Sequence, residues 1–401
     1  MSRKLDLRTG RTVWQAYRAP RVPVAPLTRD IKTEVLVVGM GISGAMIAEM
    51  LTAAGHEVVI IDRRGPLLGS TLATTALVQF EIDAPLTKLA RKIGRAKAER
   101  AWRRSRLSLS NLAEHIDALG IKCGAARRDS LYLAGAALGP SGLKNEAAAR
   151  RAAGLGATYL PRASLEERFG IARPGAILSH GNLVLDPRKL TAGLLLKALE
   201  RKARAYAKVE AIDVNDSKDC VIVSTKTGAT ITARHVILAT GYELMDGVPA
   251  DNHRVISTWA IATGPQKRAL WPGQVHIWEA SDPYLYMRTT RDGRVIAGGE
   301  DEDFVDEDKR DALLATKTRR ISAKVKVLFP QLDTDPAFAW AGSFGTTTTG
   351  LPIIGPLPRR PRVFAVMGYG GNGITWSRIA AELVTSALDG REDSEADLFA
   401  F

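Results

Sequence analysis

Hydrophobic positions in this chain fall into two textures. The first is a buried strand followed by a helix. Val35-Leu36-Val37-Val38 is an apolar, β-branched run that predicts a buried strand. Ile47, Met50, Leu51 and Ala54 then recur at helical spacing, with Gly55 as C-cap. A second apolar run, Val58–Ile61, ends at Asp62. The same texture returns in the middle of the chain. There Asp186-Pro187 opens a helix as N-cap and first residue, with Leu190, Leu194 and Ala198 on one face. After a small meander (Ala207–Val214, Val221–Ser224 and a Thr227-Gly228 turn), His235-Val236-Ile237-Leu238 runs into Ala239-Thr240-Gly241 as a further parallel-sheet strand. It returns once more near the end, as Val363–Met367 followed by a helix over Ile374–Leu388.

The second texture lies between these segments. Leu109, Leu112, Ile116 and Leu119 form the stripe of a helix ended by Gly120, within one or two helices over 85–120. Residues 121–180 mix short strands with glycine and proline turns. From Val255 the strands are short and antiparallel: Val255–Ala262, Gln274–Trp278, Pro283–Arg288 and Arg294–Ala297, with Asp292-Gly293 as a hairpin turn. A basic helix runs to about Leu328, Ala337–Ala341 is a strand, and 352–356 reads as a loop. The pattern predicts an α/β plus α+β protein in which one discontinuous domain interleaves with another. The boundaries are 31–90, 181–250 and 335–401 for the first domain, 91–180 and 251–334 for the second, and 1–30 for an irregular N-terminal arm carrying Pro20, Pro23, Pro26 and Trp14.

The turn between the first strand and helix carries the chemistry. Gly39-Met40-Gly41-Ile42-Ser43-Gly44 fits G-x-G-x-x-G. Gly39 permits the tight turn, Gly41 admits a pyrophosphate to the backbone, and Gly44 lets the helix lie close on the sheet. The helix N-terminus offers free N–H groups and positive dipole to phosphates. Asp62, ending the second strand, is placed to accept hydrogen bonds from ribose hydroxyls. Arg63 and Arg64 follow it; they admit a 2′-phosphate by charge, while Asp62 argues against one. The alternative is a strand–helix turn that binds nothing.

Composition narrows the classes. With 401 residues, 45% hydrophobic and 25% charged, the chain can bury two sizeable cores. No uninterrupted apolar stretch suffices for a membrane helix, and the start lacks the apolar core of a secretory signal, so a cytoplasmic location is expected. Cys123 and Cys220 are too few for a disulfide framework or a four-cysteine metal site, and the six histidines form no metal-ligand pair, so no metal is expected. The net charge is +13, with much of the excess in Lys88, Arg91, Lys92, Arg95, Lys97, Arg100, Arg103, Arg104 and Arg106. That run reads as a solvated helix face; a polyanion or partner patch is the sharper alternative, and no nucleic-acid-binding signature accompanies it.

A second glycine cluster, Gly368-Tyr369-Gly370-Gly371-Asn372-Gly373, again sits between a strand and a helix. A nicotinamide dinucleotide needs one such turn. A flavin dinucleotide can use two, the second stabilising the negative charge of the reduced ring. Between them, Gly69–Val78 (GSTLATTALV) has small and hydroxylated residues that can meet a flat ring, although by itself it reads more plainly as a simple polar loop.

With these features in place, the chain from about residue 30 resembles the D-amino-acid oxidase family of FAD-dependent oxidoreductases, which includes glycine oxidase, sarcosine oxidase and γ-glutamylputrescine oxidase. The likeness rests on VVGMGISGAMIAEML…VVIID, GSTLATTALVQFEID, HVILATGYE and WAGSFGTTTTGLPIIG…VFAVMGYGGNGIT, in that order. It implies a discontinuous Rossmann-type FAD-binding domain beside an antiparallel-sheet substrate domain. It also implies that Gly39, Gly41, Ile42, Ser43, Gly44, Asp62 and Arg63 hold the ADP part, and that Ser70, Thr71, Thr74, Thr75, Ala76 and Leu77 line the pyrophosphate and flavin. Val209 would lie by the adenine, Thr240 and Gly241 near the ribityl chain, and Gly371, Asn372, Gly373, Ile374 and Thr375 at the flavin N1/C2=O edge. Tyr284 is implied as a substrate contact, with half-buried strand aromatics as the plainer reading of Tyr284 and Tyr286.

Departures from the family bear on the substrate. The arginine that clamps a substrate carboxylate in amino-acid oxidases is Phe344 here, and a second basic position is Gly371. Glu300 and Asp301 add acid where glycine-oxidase-like pockets have less. Arg288 is left as a candidate carboxylate contact. No cysteine falls on segments that carry a covalent flavin link in some relatives, so noncovalent FAD is expected. The implied reaction is hydride transfer to flavin N5 from a carbon beside nitrogen, on a small amine or amino acid, giving an imine that hydrolyses. A nicotinamide dehydrogenase and a flavin-bearing docking subunit are the alternatives. Oligomeric state and electron acceptor are left open.

Overall fold

The computed structural model describes residues 6–401. Two sheets organise them. The first has eight strands around a parallel core in the order Ile353–Leu357, Arg360–Met367, Thr230–Leu238, Ile31–Val38, Val58–Asp62 and Arg204–Ala207, with Val221–Thr225 beside Thr230–Leu238 and Ala211–Asp216 beside Val221–Thr225. Thr230–Leu238 is parallel to both Ile31–Val38 and Arg360–Met367, and Val58–Asp62 continues the parallel order to Arg204–Ala207. Val35 to Val38 are at most 7% exposed, as expected of strands covered on both faces. Helices Ile42–Ala53 and Gly373–Leu388 pack on this sheet and on one another. Helix Pro187–Glu200 packs on Ile42–Ala53, and the Asp186 carboxylate caps it by accepting from the N–H groups of Arg188 and Lys189.

The second sheet has ten strands and is mostly antiparallel. Its path runs Arg8–Gly10, Pro336–Thr347, His253–Thr263, Val295–Glu302, Leu285–Thr289, His276–Glu279, Ala126–Leu133, Gly175–Val184 and Leu77–Val78, with Thr158–Pro161 beside Gly175–Val184. One pair, His276–Glu279 with Ala126–Leu133, is parallel. Side chains alternate across it. Leu285 and Met287 enter a core with Trp259, Ile261 and Ala341, whereas Tyr284, Tyr286 and Arg288 take the other side.

Several local expectations need correcting. Residues 353–357, read as part of a loop, form an edge strand antiparallel to Arg360–Met367, since prolines at 352 and 356 are tolerated at an edge. The stretch 207–214 is two strands, Arg204–Ala207 and Ala211–Asp216, which pair with different partners. The N-terminal arm is more than a surface strap. Arg8–Gly10 adds to the second sheet, and Trp14 is 2% exposed with its indole N–H donating to the Thr74 carbonyl at 2.6 Å. Residues 85–120 form two helices, Leu86–Ile93 and Arg95–Ala118. Trp102, Leu109, Leu112 and Ile116 of the longer one share a core with Val35, Val37 and Ile379, so this helix leans on the parallel sheet's side of the molecule.

The basic run lies on these two helices, and four of its nine cations, Arg95, Arg100, Arg103 and Arg104, make ion pairs. Arg95 meets Glu99 at 2.6 Å, Arg100 meets Asp397 at 2.7 Å, and Arg104 meets both Glu382 and Asp393 at 3.1 Å. Charge counted along the sequence therefore overstates the positive field of this face.

Candidate active site

At the first glycine turn the backbone leaves no room for side chains. A Cβ on Gly44 would lie 1.9 Å from the Gly39 carbonyl oxygen. Gly39 itself has φ +122°, and a Cβ there would lie 2.3 Å from the Ala239 oxygen. Helix Ile42–Ala53 thus begins hard against the end of its strand, with its N-terminus open to a ligand. The Thr71 hydroxyl oxygen accepts the Ile42 N–H at 3.0 Å, joining the small, hydroxylated loop to that N-terminus.

The Asp62 carboxylate serves the same turn. One oxygen accepts from the Met40 N–H at 2.8 Å; the other accepts from the Arg64 and Gly65 N–H groups at 2.7 Å each. Beside it, Gly39, Arg63, Val209, Thr240, Glu210, Glu243 and Met245 line a pocket of about 490 Å³. Arg63 and Arg64 both bind the Glu243 carboxylate, Arg64 at 2.7 Å, so their charge is directed at that partner. The pocket joins residues more than 180 positions apart in the sequence and suits an adenosine.

A larger cavity, about 1150 Å³ and open to solvent, lies between the sheets. Of the residues expected around the flavin, Ile42, Ser43, Ser70, Thr71, Thr74, Thr75, Leu77, Gly241, Gly371, Asn372, Gly373 and Ile374 line it, as does Tyr284. Both glycine clusters therefore open on one space, with the N-terminus of helix Gly373–Leu388 facing it. Gly41, Gly44, Ala76 and Thr375 support the wall from behind. Gly41 caps the first helix, and the Thr375 hydroxyl donates to the Gln79 carbonyl at 2.8 Å. The stacked small residues, two helix N-termini and adjoining adenosine-sized pocket fit FAD. None of the lining residues of either pocket is Cys or His.

Arg288 is placed elsewhere. Its guanidinium is 3% exposed, donates to the carbonyls of Ala76 (2.6 Å) and Leu185 (3.1 Å), and lies 5.3 Å from the centroid of the Trp14 ring. It braces the Thr74–Ala76 loop and is not among the lining residues. Its burial lowers its pKa to about 10, and it remains charged at neutral pH. Glu300 also turns away, binding Lys324 at 2.5 Å and Lys317 at 3.5 Å from helix Leu314–Leu328.

Gln79, Asp83, Thr258, Trp278 and Tyr369 line the cavity without having been singled out from the sequence. A signal for two of them was present: in Leu77–Asp83, Val78, Phe80 and Ile82 are apolar and buried while Gln79, Glu81 and Asp83 are polar. The Tyr284 hydroxyl donates to Asp301 at 2.8 Å. Burial foremost, with the Asp83 charge adding, lifts the Asp301 carboxyl to about 6 against the opposing pull of the neighbouring Thr258 hydroxyl and the Tyr284 hydrogen bond. Tyr284 and Tyr286 have their phenol pKa values raised, chiefly by burial, and both remain neutral.

The fold and the paired glycine turns define an FAD-binding oxidoreductase. Residues 34–387 match the model of the DAO family, FAD-dependent oxidoreductases, and the chain belongs to that family. It is thus an FAD-dependent oxidoreductase, similar to amine and amino-acid oxidases, which sets aside the nicotinamide dehydrogenase. It is 21% identical to the probable oxidoreductase OrdL of Haemophilus influenzae over 93% of this chain and 86% of that one. It is 26% identical to the bifunctional tRNA 5-methylaminomethyl-2-thiouridine biosynthesis protein MnmC of Cupriavidus necator, over 95% of this chain but 60% of that one. Its fold is similar to that of glycine oxidase from Geobacillus kaustophilus, with TM-score 0.74 and 22% identity over 90% of this chain and 96% of the other. No group of three or more His, Cys, Asp or Glu among the described residues is arranged to hold a metal, and no helix among them is long and apolar enough to cross a membrane.

Proposed function

We propose that the protein oxidises a small amine or amino acid at the carbon next to nitrogen, using noncovalent FAD, and that the resulting imine hydrolyses in water. The observation carrying this reading is the convergence of both glycine turns on one cavity that continues past Tyr284 and Tyr286 between the sheets. Bound there, FAD supplies the two-electron acceptor for the hydride. Noncovalent binding is supported by the lining of both pockets, in which no Cys or His appears.

The chain's own residues position, shield and polarise. Gly39, Gly41, Ile42, Ser43 and Gly44 would present helix N–H groups to the pyrophosphate, and Asp62 and Arg63, with Val209, would flank the adenosine. Ser70, Thr71, Thr74 and Thr75 would hydrogen-bond the ring system and its linker, backed by Ala76 and Leu77. Thr240 and Gly241 would border the ribityl chain. Gly371, Asn372, Gly373, Ile374 and Thr375 open helix Gly373–Leu388, whose dipole lowers the energy of negative charge placed at its N-terminus. Tyr284, held by Asp301, would orient the substrate; Trp278 and Phe344 exclude water around it. Arg288 is assigned no substrate contact, because its donors serve the Ala76 and Leu185 carbonyls.

The test is the visible spectrum of the FAD-loaded protein, titrated anaerobically with amines, N-methyl amino acids and D-amino acids. Bleaching of the flavin bands by at least one of these is expected. Bands that none of them bleaches would refute amine oxidation, and protein that takes up no FAD would refute the cofactor site.

A further inference from the structure

The charge of the cavity goes beyond the general reading. Its lining residues include no Lys, Arg or His, and one carboxylate, Asp83. Asp83 accepts the Gly371 N–H at 2.9 Å and, among the described residues, has no cationic side chain as hydrogen-bond or ion-pair partner. Asp83 is an exposed residue, open to solvent in the cavity. Gln79, 5% exposed, adds a polar but uncharged side chain to the lining, its amide oxygen buried. The aromatic faces of Trp278, Tyr284 and Tyr286 complete this end of the space, the two tyrosine rings 5.6 Å apart. An exposed carboxylate and aromatic faces, with no cation in the lining, together suit an organic cation.

The reaction limits which nitrogen that cation can be. Hydride loss requires a lone pair on the reacting nitrogen, so this nitrogen must be neutral. A fixed carboxylate would hold it protonated and unreactive. The charge matched to Asp83 must therefore sit on a group that the chemistry leaves alone.

We propose that the substrate carries a second nitrogen that stays protonated through the reaction, that Asp83 binds it, and that the enzyme prefers diamines over monoamines and over amino acids of the same chain length. This rests on the amine-oxidation reading above. Tyr284, its hydroxyl proton engaged by Asp301, offers an oxygen lone pair alongside. A substrate carboxylate would meet Asp83 with no cation in the lining to offset the repulsion.

The test uses the FAD-loaded enzyme and three probes that share a four-carbon chain: 1,4-diaminobutane, butylamine and 4-aminobutanoate. Anaerobic flavin reduction gives KM and limiting rate; calorimetric titration of the reduced enzyme, which cannot turn over, gives affinity independently. The diamine is expected to bind roughly 10- to 100-fold more tightly than butylamine, and 4-aminobutanoate more weakly than either. Asp83→Asn should remove most of the diamine's advantage over butylamine, read as the ratio of their affinities in the same variant. Equal affinity for diamine and monoamine in the natural enzyme overturns the proposal, as does preference for the amino acid. The three-probe comparison uses the natural enzyme alone, so it decides the matter even if Asp83→Asn fails to fold. Flavin bands bleached by other amines alone would sink the diamine assignment and leave amine oxidation standing; bands that no amine bleaches would remove both.

Discussion

Gly44→Ala is the sharpest test of how the cofactor turn is built. The added Cβ would stand 1.9 Å from the Gly39 carbonyl oxygen, 2.9 Å from the Gly39 carbonyl carbon and 3.4 Å from Val37 Cγ1. An ordinary C···O contact is about 3.3 Å, so helix and turn must separate by roughly 1.4 Å. The obstructing atoms are backbone, and no rotamer change relieves them. Overpacking of this kind costs about 1–3 kcal/mol, against which alanine returns up to ~1 kcal/mol of helix propensity. The same displacement carries the Ile42 N–H away from Thr71 and moves the helix N-terminus off the pyrophosphate, so FAD affinity should fall roughly 10- to 100-fold, or about 1.4–2.8 kcal/mol. The assay is FAD titration of the apoprotein by flavin fluorescence, with denaturant unfolding in parallel. Gly55→Ala at the other end of the helix is the control. Its φ is +97° and nothing lies within 4 Å of the added Cβ, so it should cost about 1 kcal/mol of strain and no FAD affinity. Wild-type affinity for FAD in Gly44→Ala would show that the close approach has been misjudged.

Other perturbations probe other parts of the molecule. Glu146 is fully buried and accepts from the Leu86 N–H (2.8 Å), the Thr87 N–H (2.9 Å) and Arg150 (2.8 Å). Glu146→Gln should cost about 3–5 kcal/mol in denaturant unfolding at neutral pH, because Arg150, also fully buried, loses its counter-charge. Burial opposes ionisation of Glu146, but Arg150 and the hydrogen bonds prevail and lower its pKa. Its contribution is therefore present above the unfolded carboxyl value and lost as pH falls through the lowered one, so the gap from wild type should close in acid; a constant gap would contradict this. His56 lies 2.9 Å from both Glu34 and Asp389. Burial lowers its pKa, yet those two partners outweigh it and the net shift is upward. Wild type should lose this stabilisation as pH rises from about 6.5 through the raised value, and His56→Gln should show no such loss in melting temperature. Tyr284→Phe removes the hydroxyl bound to Asp301 and should raise substrate KM about 3- to 10-fold while FAD affinity holds; unchanged KM and rate would reduce Tyr284 to a wall residue.

Local pattern explains what could be read early. The Val35–Asp62 unit announces itself because strand, glycine turn, helix and acid follow one another within the reach of backbone hydrogen bonding, and each residue's job depends on near neighbours. Gly44 against Gly39 and Asp62 against Met40 are contacts inside one supersecondary unit. The Asp186 cap and the strand before Gly368 are of the same kind. Arg288 failed as a candidate substrate contact because its surroundings come from afar: Ala76, Leu185 and Trp14 all reach it only after folding. The loop expected at 352–356 became a strand because an edge partner was available, which no local propensity reports. The arginines of the long helix looked like a charged face because their acids, Glu382, Asp393 and Asp397, lie almost 300 residues away.

The sequence by itself therefore determined the nucleotide-binding unit, the second glycine turn that makes a flavin the fitting cofactor, and the interleaving of two sheet types, since each rests on periodicity or short-range backbone geometry. Only the tertiary structure decided the character of the reaction cavity. Asp83 meets Gly371 across 288 residues, Tyr284 meets Asp301 across a strand pair, and the lining holds no cation because Arg288 and Lys317 are turned to other partners. Charge inside a cavity is set by which side chains the fold points inward and which it neutralises elsewhere, and that selection is not written in the order of residues.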